Sequence, residues 1–275
     1  MANSRAVAVA VAVTEEEIKD VEQQLKELAN CRIFICGDRF WNYSVFDGMM
    51  LSDGHLQKST KSKNARFSLS CKYEEFAKTF QRLSGSFNWT ESHCRDIYDK
   101  RTNKTYTSWR LSSKTDERFT IEHKRWYPEG KKIVPKDLIL DKTTLVWWYL
   151  GDGSLNRKKS RPNYRRVVFC TQGFTVQDVD FLKLKLEELF GNDSIYIEEN
   201  QIIIAKQSLC SFIKFIGIES PVSCYQYKFD FGPYINENYW KKSFEDRPLK
   251  YINEYRKMNK VRELNYKSKE EINHG

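Results

Sequence analysis

Two short stretches of the chain, Phe46 to Gly54 (FDGMMLSDG) and Leu145 to Gly153 (LVWWYLGDG), each close a mostly apolar run with an aspartate followed by a glycine. Such runs read as buried helices, and the glycine as a stop just past the helix, taking positive φ. The aspartates are the anomaly. A helix C-terminus carries partial negative charge, so a carboxylate there is disfavoured by roughly 0.3–1 kcal/mol. If the two helices lie side by side, Asp53 and Asp152 also repel each other. A divalent cation between them removes both problems. The two carboxylates, backbone oxygens at Ser52 and Gly151, and water would form the oxygen shell that Mg2+ prefers, with Mn2+ as a substitute. A cation held in this way polarises a phosphate and activates water, which is the chemistry of phosphodiester hydrolysis. One Asp-Gly step is ordinarily a turn; two at equivalent places in one chain are harder to explain so.

The elements that must position these acids recur in the same order in both halves, as an internal duplication would produce. After the first Asp-Gly come a strand at Ala65 to Cys71, a helix over 72–83 closed by Gly85, and a hairpin of Cys94 to Lys100 and Tyr106 to Leu111. A helix over Thr115 to Trp126 completes the half. After the second come a basic stretch, a strand at Arg166 to Thr171, and a helix over 176–190 with Val179, Leu182, Leu186 and Leu189 on its apolar face. A hairpin of Ile195 to Ile197 and Gln201 to Ala205, then a helix over Leu209 to Ile216, follow. The expected fold is therefore α+β, a pseudo-twofold duplication of an αββαββα unit. The expected divisions are 1–30 as an extension with a helix over 14–30, 31–138 as the first repeat with its linker, 139–230 as the second repeat, and 231–275 as a charged extension with a helix from Pro248 to Val261. The alternating Ala and Val of Ala6 to Val13 are too short and small for a cleaved signal.

Composition narrows the partner. The 275 residues carry 46 Lys and Arg against 37 Asp and Glu, a net charge of +9, with 40% hydrophobic and 14% aromatic residues, which excludes a disordered or low-complexity chain. No apolar stretch approaches the roughly 18 residues of a membrane span. Seven cysteines, an odd number without a C-x-x-C pair, and four scattered histidines argue against a disulfide framework or a zinc site. The thiols are expected to be reduced and mostly buried, in an intracellular setting, either an organelle or a bacterial cytoplasm. The basic residues cluster in runs that lead into strands, as a nucleic-acid face would require.

With these residues in view, the chain resembles the LAGLIDADG homing endonucleases in their single-chain, two-repeat form, and is similar to the branch that contains the yeast mitochondrial omega-intron endonuclease. Asp53-Gly54 and Asp152-Gly153 end the two motif copies. LVWWYLGDGSL from Leu145, TQGFTVQDVDFLKLKLEELFG (171–191), CYQYKF (224–229) and the linker GKKIVPKDLI (130–139) carry the rest of the likeness. The resemblance implies two motif helices at a pseudo-twofold interface and two saddle-shaped antiparallel sheets facing DNA. It also implies that Asp53 and Asp152 bind Mg2+ and cut both strands to leave short 3′ overhangs, with Lys132 and Lys228 near the scissile phosphates. Two departures stand out: Asp47 replaces a usually small residue, which would loosen or re-pair the helix interface, and Gly151 stands where relatives often have another acid.

Base and phosphate contacts are expected on outward strand positions. In the first half these are Gln57, Lys58, Lys61, Lys63, Arg66, Ser68 and Ser70, then Arg95, Arg101, Asn103, Lys104, Ser108 and Arg110 on the second hairpin. In the second half they are Asn156, Arg157, Lys158, Arg161, Asn163, Arg165 and Gln172, while Glu198 and Glu199 would repel phosphate. Because the halves differ in sequence, a monomer would bind a long, non-palindromic duplex. The alternative is an intron-splicing maturase that grips folded RNA. A glycosidase built on paired aspartates and aromatics accounts for neither the net positive charge nor the basic strands, and duplicated helix ends do not suggest the raised acid it needs.

Overall fold

The structure is a computed structural model and describes residues 32–36, 39–158 and 160–235. The expected helices over 14–30 and Pro248 to Val261, and the Ala6 to Val13 segment, lie outside the described residues. Residues through Asp230 form one compact unit and those from Phe231 a second, of which a short 3-10 turn, Gly232–Ile235, is described.

The centre of the first unit is a pair of helices. Helix α1 (Tyr43–Met50) starts where the Asn42 side chain accepts the Val45 N–H, and every residue from Ser44 to Met50 is buried. Its partner in the second half spans Lys142–Asp152, is capped by Asp141 on the Thr144 N–H, and buries Thr143 through Leu150. Helices that are apolar nearly all round belong in an interior, and these two form the most extensive helix–helix contact among the described residues. Glycine sets their separation. A Cβ on Gly48 would lie 2.5 Å from the Thr144 carbonyl oxygen and 2.7 Å from Trp147 Cβ; one on Gly151 would lie 2.5 Å from Ser52 Cβ. A small residue at Gly151 is thus what lets the two helix ends approach, which explains the missing acid there. Gly48→Val should lower stability by about 1–3 kcal/mol, the usual cost of overpacking, measured as a lower urea midpoint at unchanged m.

Around this pair the duplication is complete. In the first half, β3 (His55–Gln57), β4 (Arg66–Cys71), α2 (Glu74–Ser84), β5 (His93–Asp99), β6 (Lys104–Ser112) and α3 (Glu117–Trp126) follow α1, after a small hairpin β1 (Ile33–Cys36) and β2 (Arg39–Asn42). In the second half, α4 (Lys142–Asp152) is followed by β7 (Gly153–Lys158), β8 (Arg161–Phe169), α5 (Val176–Phe190), β9 (Ile195–Glu198), β10 (Gln201–Ile204) and α6 (Leu209–Ile216). Each half is αββαββα with one four-stranded antiparallel sheet, ordered β3-β4-β6-β5 and β7-β8-β10-β9. The hairpin turn at Glu199-Asn200 takes positive φ at both residues, and Gly191 and Gly217 stop their helices at φ 90°.

Some expectations do not hold. Gly54 and Gly153 are not positive-φ stops: neither is among the positive-φ glycines, and Gly153 sits at φ −75° as the first residue of β7. They are required for room instead, because a Cβ on Gly153 would strike the Tyr149 carbonyl and one on Gly54 would lie 2.8 Å from that of Met49. Helix α3 starts two residues late because Asp116 caps it, accepting from the Arg118 N–H. Leu189 is 37% exposed rather than core, since Val179, Leu182 and Leu186 already fill the face of α5 that meets the sheet. Among the described cysteines only Cys71 is buried; Cys94 lies on the distal hairpin, whose strand is exposed along nearly its whole length, and Cys170 follows the end of β8. No helix among the described residues is long and apolar enough to cross a membrane.

Candidate active site

The paired helices deliver their acids to one place. Asp152 is the last residue of α4, and Asp53 lies in the turn three residues beyond α1. Their ends touch at Ser52 and Gly151, and Asp53 Oδ2 is 3.7 Å from the position a Cβ on Gly151 would take. Asp53 is open to solvent and Asp152 partly covered, yet surrounding protein displaces enough water to raise both carboxyls. Desolvation is the larger cause for each. Asp152 is pushed up to about 7, with the charge of Asp53 adding to the effect, and Asp53 is raised in the same direction.

Two lysines hold the helix ends, and each acts on both acids, Lys132 most on Asp152 and Lys228 most on Asp53. Lys132 Nζ donates to the carbonyls of Ser52 (3.2 Å) and Gly54 (2.9 Å). Lys228 Nζ donates to those of Leu150 (2.6 Å), Gly151 (3.1 Å) and Gly153 (2.8 Å). Thus each ammonium neutralises the carbonyl end of a motif helix, where an acid alone would be unfavourable. Burial pulls both lysines down to about 8, partly offset by the two aspartates acting on each. Lys228 stands on a 3-10 segment, Ser223–Phe229. That segment is fastened across the halves by Glu75 of α2, whose carboxylate accepts from Ser223 N and Oγ (2.8 Å each) and Cys224 N (3.1 Å).

The donor set suits a hard cation. No cluster of three or more His, Cys, Asp or Glu side chains among the described residues could hold a metal; the two carboxylates and the neighbouring carbonyls offer only oxygen donors, the kind a hard cation takes. The Ser52 and Gly151 carbonyls expected to serve it already accept from the lysines, and each retains a second lone pair.

Above this centre lie the sheet faces. In the first sheet the register puts Gln57 opposite Arg66, Ser70 opposite Arg110, Arg95 opposite Ser108 and Lys104 opposite Asp99. All belong to one face, together with Ser68, while Leu56, Phe67, Leu69 and Leu111 fill the other. Period-two alternation accounts for this directly. Ser68 shares the face but is only 7% exposed. Lys58, Lys61 and Lys63 are exposed in the loop between β3 and β4 rather than on strands, and Arg101 and Asn103 sit in the turn of the distal hairpin.

The second sheet requires a correction. Arg157 pairs with Arg165 on the same face as Leu155, Val167 and Phe169, which is the core face. Both turn away from Ser154 and Asn156. Arg157 donates to the Tyr227 carbonyl (2.6 Å) and pairs with Asp230, and Arg165 donates to the Asp230 carbonyl. Since Val167 and Phe169 must be buried, alternation sends Arg165 inward and Arg166 outward. Arg166, not among the expected residues, lies opposite Asn156 and pairs with Glu198, so that acid is neutralised within the sheet. The sequence carries little signal for this, since Val167, Val168 and Phe169 are all apolar and all buried. Gln172 is exposed just past β8, and the side chains of Lys158, Arg161 and Asn163 are outside the described part.

Two aspartates at the ends of duplicated, glycine-spaced helices form the motif pair that defines one group of proteins. The family profile of the LAGLIDADG DNA endonucleases matches residues 43–212. The chain belongs to this LAGLIDADG family. An uncharacterized protein of Methanocaldococcus jannaschii is 34% identical over 154 residues, 54% of this chain and 57% of its own length. Probable intron-encoded endonuclease 1 of Wickerhamomyces canadensis is 26% identical over 168 residues, 57% of this chain and 69% of its length. Cytochrome b mRNA maturase bI2 of Debaryomyces hansenii is 25% identical over 146 residues, 51% and 53% respectively. The chain therefore spans between half and about two thirds of these curated relatives. Among solved structures, the homing endonuclease I-WcaI bound to its DNA recognition sequence matches with a TM-score of 0.60 at 18% identity, over 82% of this chain and 96% of that one. At that identity the likeness shows the LAGLIDADG two-repeat fold.

Proposed function

We propose that the chain is a site-specific endonuclease that hydrolyses both strands of a long, non-palindromic DNA duplex as a monomer. The observation that carries this reading is the convergence of Asp53 and Asp152, each beside a buried lysine, at the base of two sheets with polar and basic outward rows. Asp53 and Asp152 would hold Mg2+ together with the Ser52 and Gly151 carbonyls. When bound, such a cation polarises the scissile phosphate and lowers the pKa of a coordinated water. Lys132 and Lys228 bring fixed positive charge to the phosphates, where negative charge builds up during cleavage. Held by two carbonyls and by four, respectively, they do not have to reorganise as the reaction proceeds.

The decisive experiment is incubation of the purified protein with a plasmid library of candidate sites, with Mg2+, with Mn2+ and with EDTA. Double-strand cutting at one site that requires the divalent cation supports the reading. Binding without cutting would favour the RNA-splicing alternative, to which the maturase name of the D. hansenii relative points.

The basic rows make a second expectation. Binding should weaken steeply with salt, with a log–log slope of about −0.9 per phosphate neutralised. Lys61→Ala, in the exposed loop, should weaken all sequences alike and make the slope shallower by about 0.9, whereas Arg110→Ala should relax preference at a single base pair with little change of slope. Filter binding from 50 to 300 mM salt, on the selected site and on scrambled DNA, separates the two.

A further inference from the structure

The two halves are alike at the acids and lysines but not beside them. Just past Asp53, a cavity of about 640 Å³ opens between β3, the β3–β4 loop and the end of α3; His55, Lys58, Asn64, Arg66, His123 and Tyr127 are among its walls, and none of its lining residues is acidic. His55 lies on the same face as Ser68 and Gln57, the outward face of the first sheet. Its Nδ1 is 3.0 Å from the Tyr127 hydroxyl, with the two rings edge to face, and His123 stacks on the other side of Tyr127 at 5.1 Å. Tyr127 is 8% exposed and so fixes the imidazole from beneath. Burial raises the Tyr127 phenol and keeps it neutral. Lys132 and Lys58 place positive charge beside His55 and His123. At the equivalent place in the second half stands Ser154, next to Asn156.

An imidazole held at Nδ1 can offer Nε2–H, and in a cation-rimmed, acid-free recess two residues from Asp53 that suits a phosphate of the duplex backbone. We propose that His55, positioned by Tyr127, grips a backbone phosphate of one strand beside the first-half acid, and that cutting of that strand depends on this one-sided contact while cutting of the other does not. The inference rests on the endonuclease reading. Tyr127 is a positioning residue in it, acting through His55.

The test uses the full chain and a supercoiled plasmid carrying a target recovered by cleavage selection, with each strand end-labelled separately. His55→Ala should slow cutting of one strand roughly tenfold, the size expected for loss of one hydrogen bond to a charged group, and leave the other within about twofold. Nicked plasmid should accumulate with the nick always in the same strand. Tyr127→Phe should give the same strand bias more weakly, and His55→Gln, which keeps a donor, should restore part of the rate. A thermal melt of each variant checks folding; where the alanine variant fails to fold, Tyr127→Phe carries the test. Equal slowing of both strands, or no slowing, overturns the proposal. If the wild type cuts the target and only the bias is missing, this inference alone falls; if the wild type cuts no DNA, the endonuclease reading falls and takes this one with it.

Discussion

Asp152→Asn should abolish cleavage while making the cation-free protein more stable. Loss of one of two carboxylates that would hold the cation removes most of the charge stabilisation of the reaction, and a rate drop of at least about a thousandfold, ~4 kcal/mol, is expected. The stability gain follows from burial. Desolvation first, then Asp53, pushes the Asp152 carboxyl from 3.8 to about 7. The folded state therefore holds this proton more tightly than the unfolded chain does. For such a group the penalty is absent below about pH 4, grows as pH rises, and is full above about pH 7. The asparagine carries no charge and escapes it, so at pH 8 the variant should gain roughly 2–4 kcal/mol, allowing for relief of the wild-type carboxylate by the two lysines. Added Mg2+ should raise the melting temperature of the wild type, by the equivalent of about 2.7 kcal/mol at a hundred times its Kd, and have little effect on the variant. Single-turnover cleavage and melting curves at pH 5 and pH 8, each with and without Mg2+, check all of this. A variant that cuts at a tenth of the wild-type rate, or a wild type whose melt ignores Mg2+, would overturn it. Asp53→Asn should lose cleavage as fully but gain less stability, because Asp53 is the more open of the two.

The same tension explains how much of this site was legible in the sequence. An acid at the end of an apolar run is locally unfavourable, and its repetition in a duplicated chain marks function where packing alone would place a neutral residue. Alternation made most of the first sheet's outward row legible, since Phe67 and Leu69 fix which way Arg66, Ser68 and Ser70 point. It was not decisive in β8, where Val167, Val168 and Phe169 are apolar and buried on both faces, so only the pairing register shows Arg165 turned inward and Arg166 outward. What one dimension did not carry is contact across the chain. The glycines of the motifs read as turn residues, but their purpose is close approach between helices far apart in sequence. Likewise nothing local marks Tyr127 as the partner of His55, or Glu75 as the anchor of the segment bearing Lys228.

Asp47 is the sharpest case of such a hidden partner, and its removal carries the second large expected effect. It lies within α1 with no exposed surface, among residues that are otherwise apolar or small. An isolated charge there would cost many kcal/mol. It is not isolated: Oδ1 is 2.7 Å from Arg125 Nη1 of α3, and Oδ2 is 2.8 Å from Arg32 Nη2. Arg125 also pairs with Glu122 and, through Nε, with Asp137 of the linker, while Arg32 reaches Asp141, which caps α4. The departure from a small residue thus re-pairs the helix interface instead of loosening it, tying α1, α3, the linker and the start of α4 into one network. Such a buried pair adds little over a well-packed apolar pair, but removing one partner leaves the other desolvated and uncompensated. Asp47→Ala should therefore lower stability by about 3–5 kcal/mol, which at roughly 2–4 °C per kcal/mol for a chain of this size is a large fall in Tm. Arg32→Ala should cost far less, because Arg32 is 27% exposed and Asp47 keeps Arg125. In the Asp47→Ala background the further change Arg125→Met should recover part of the loss, since it removes the stranded charge. Urea titrations of the three variants and the double variant give the coupling. An Asp47→Ala cost below about 1 kcal/mol, or no recovery in the double variant, would mean that the network contributes nothing to holding the motif helices in register.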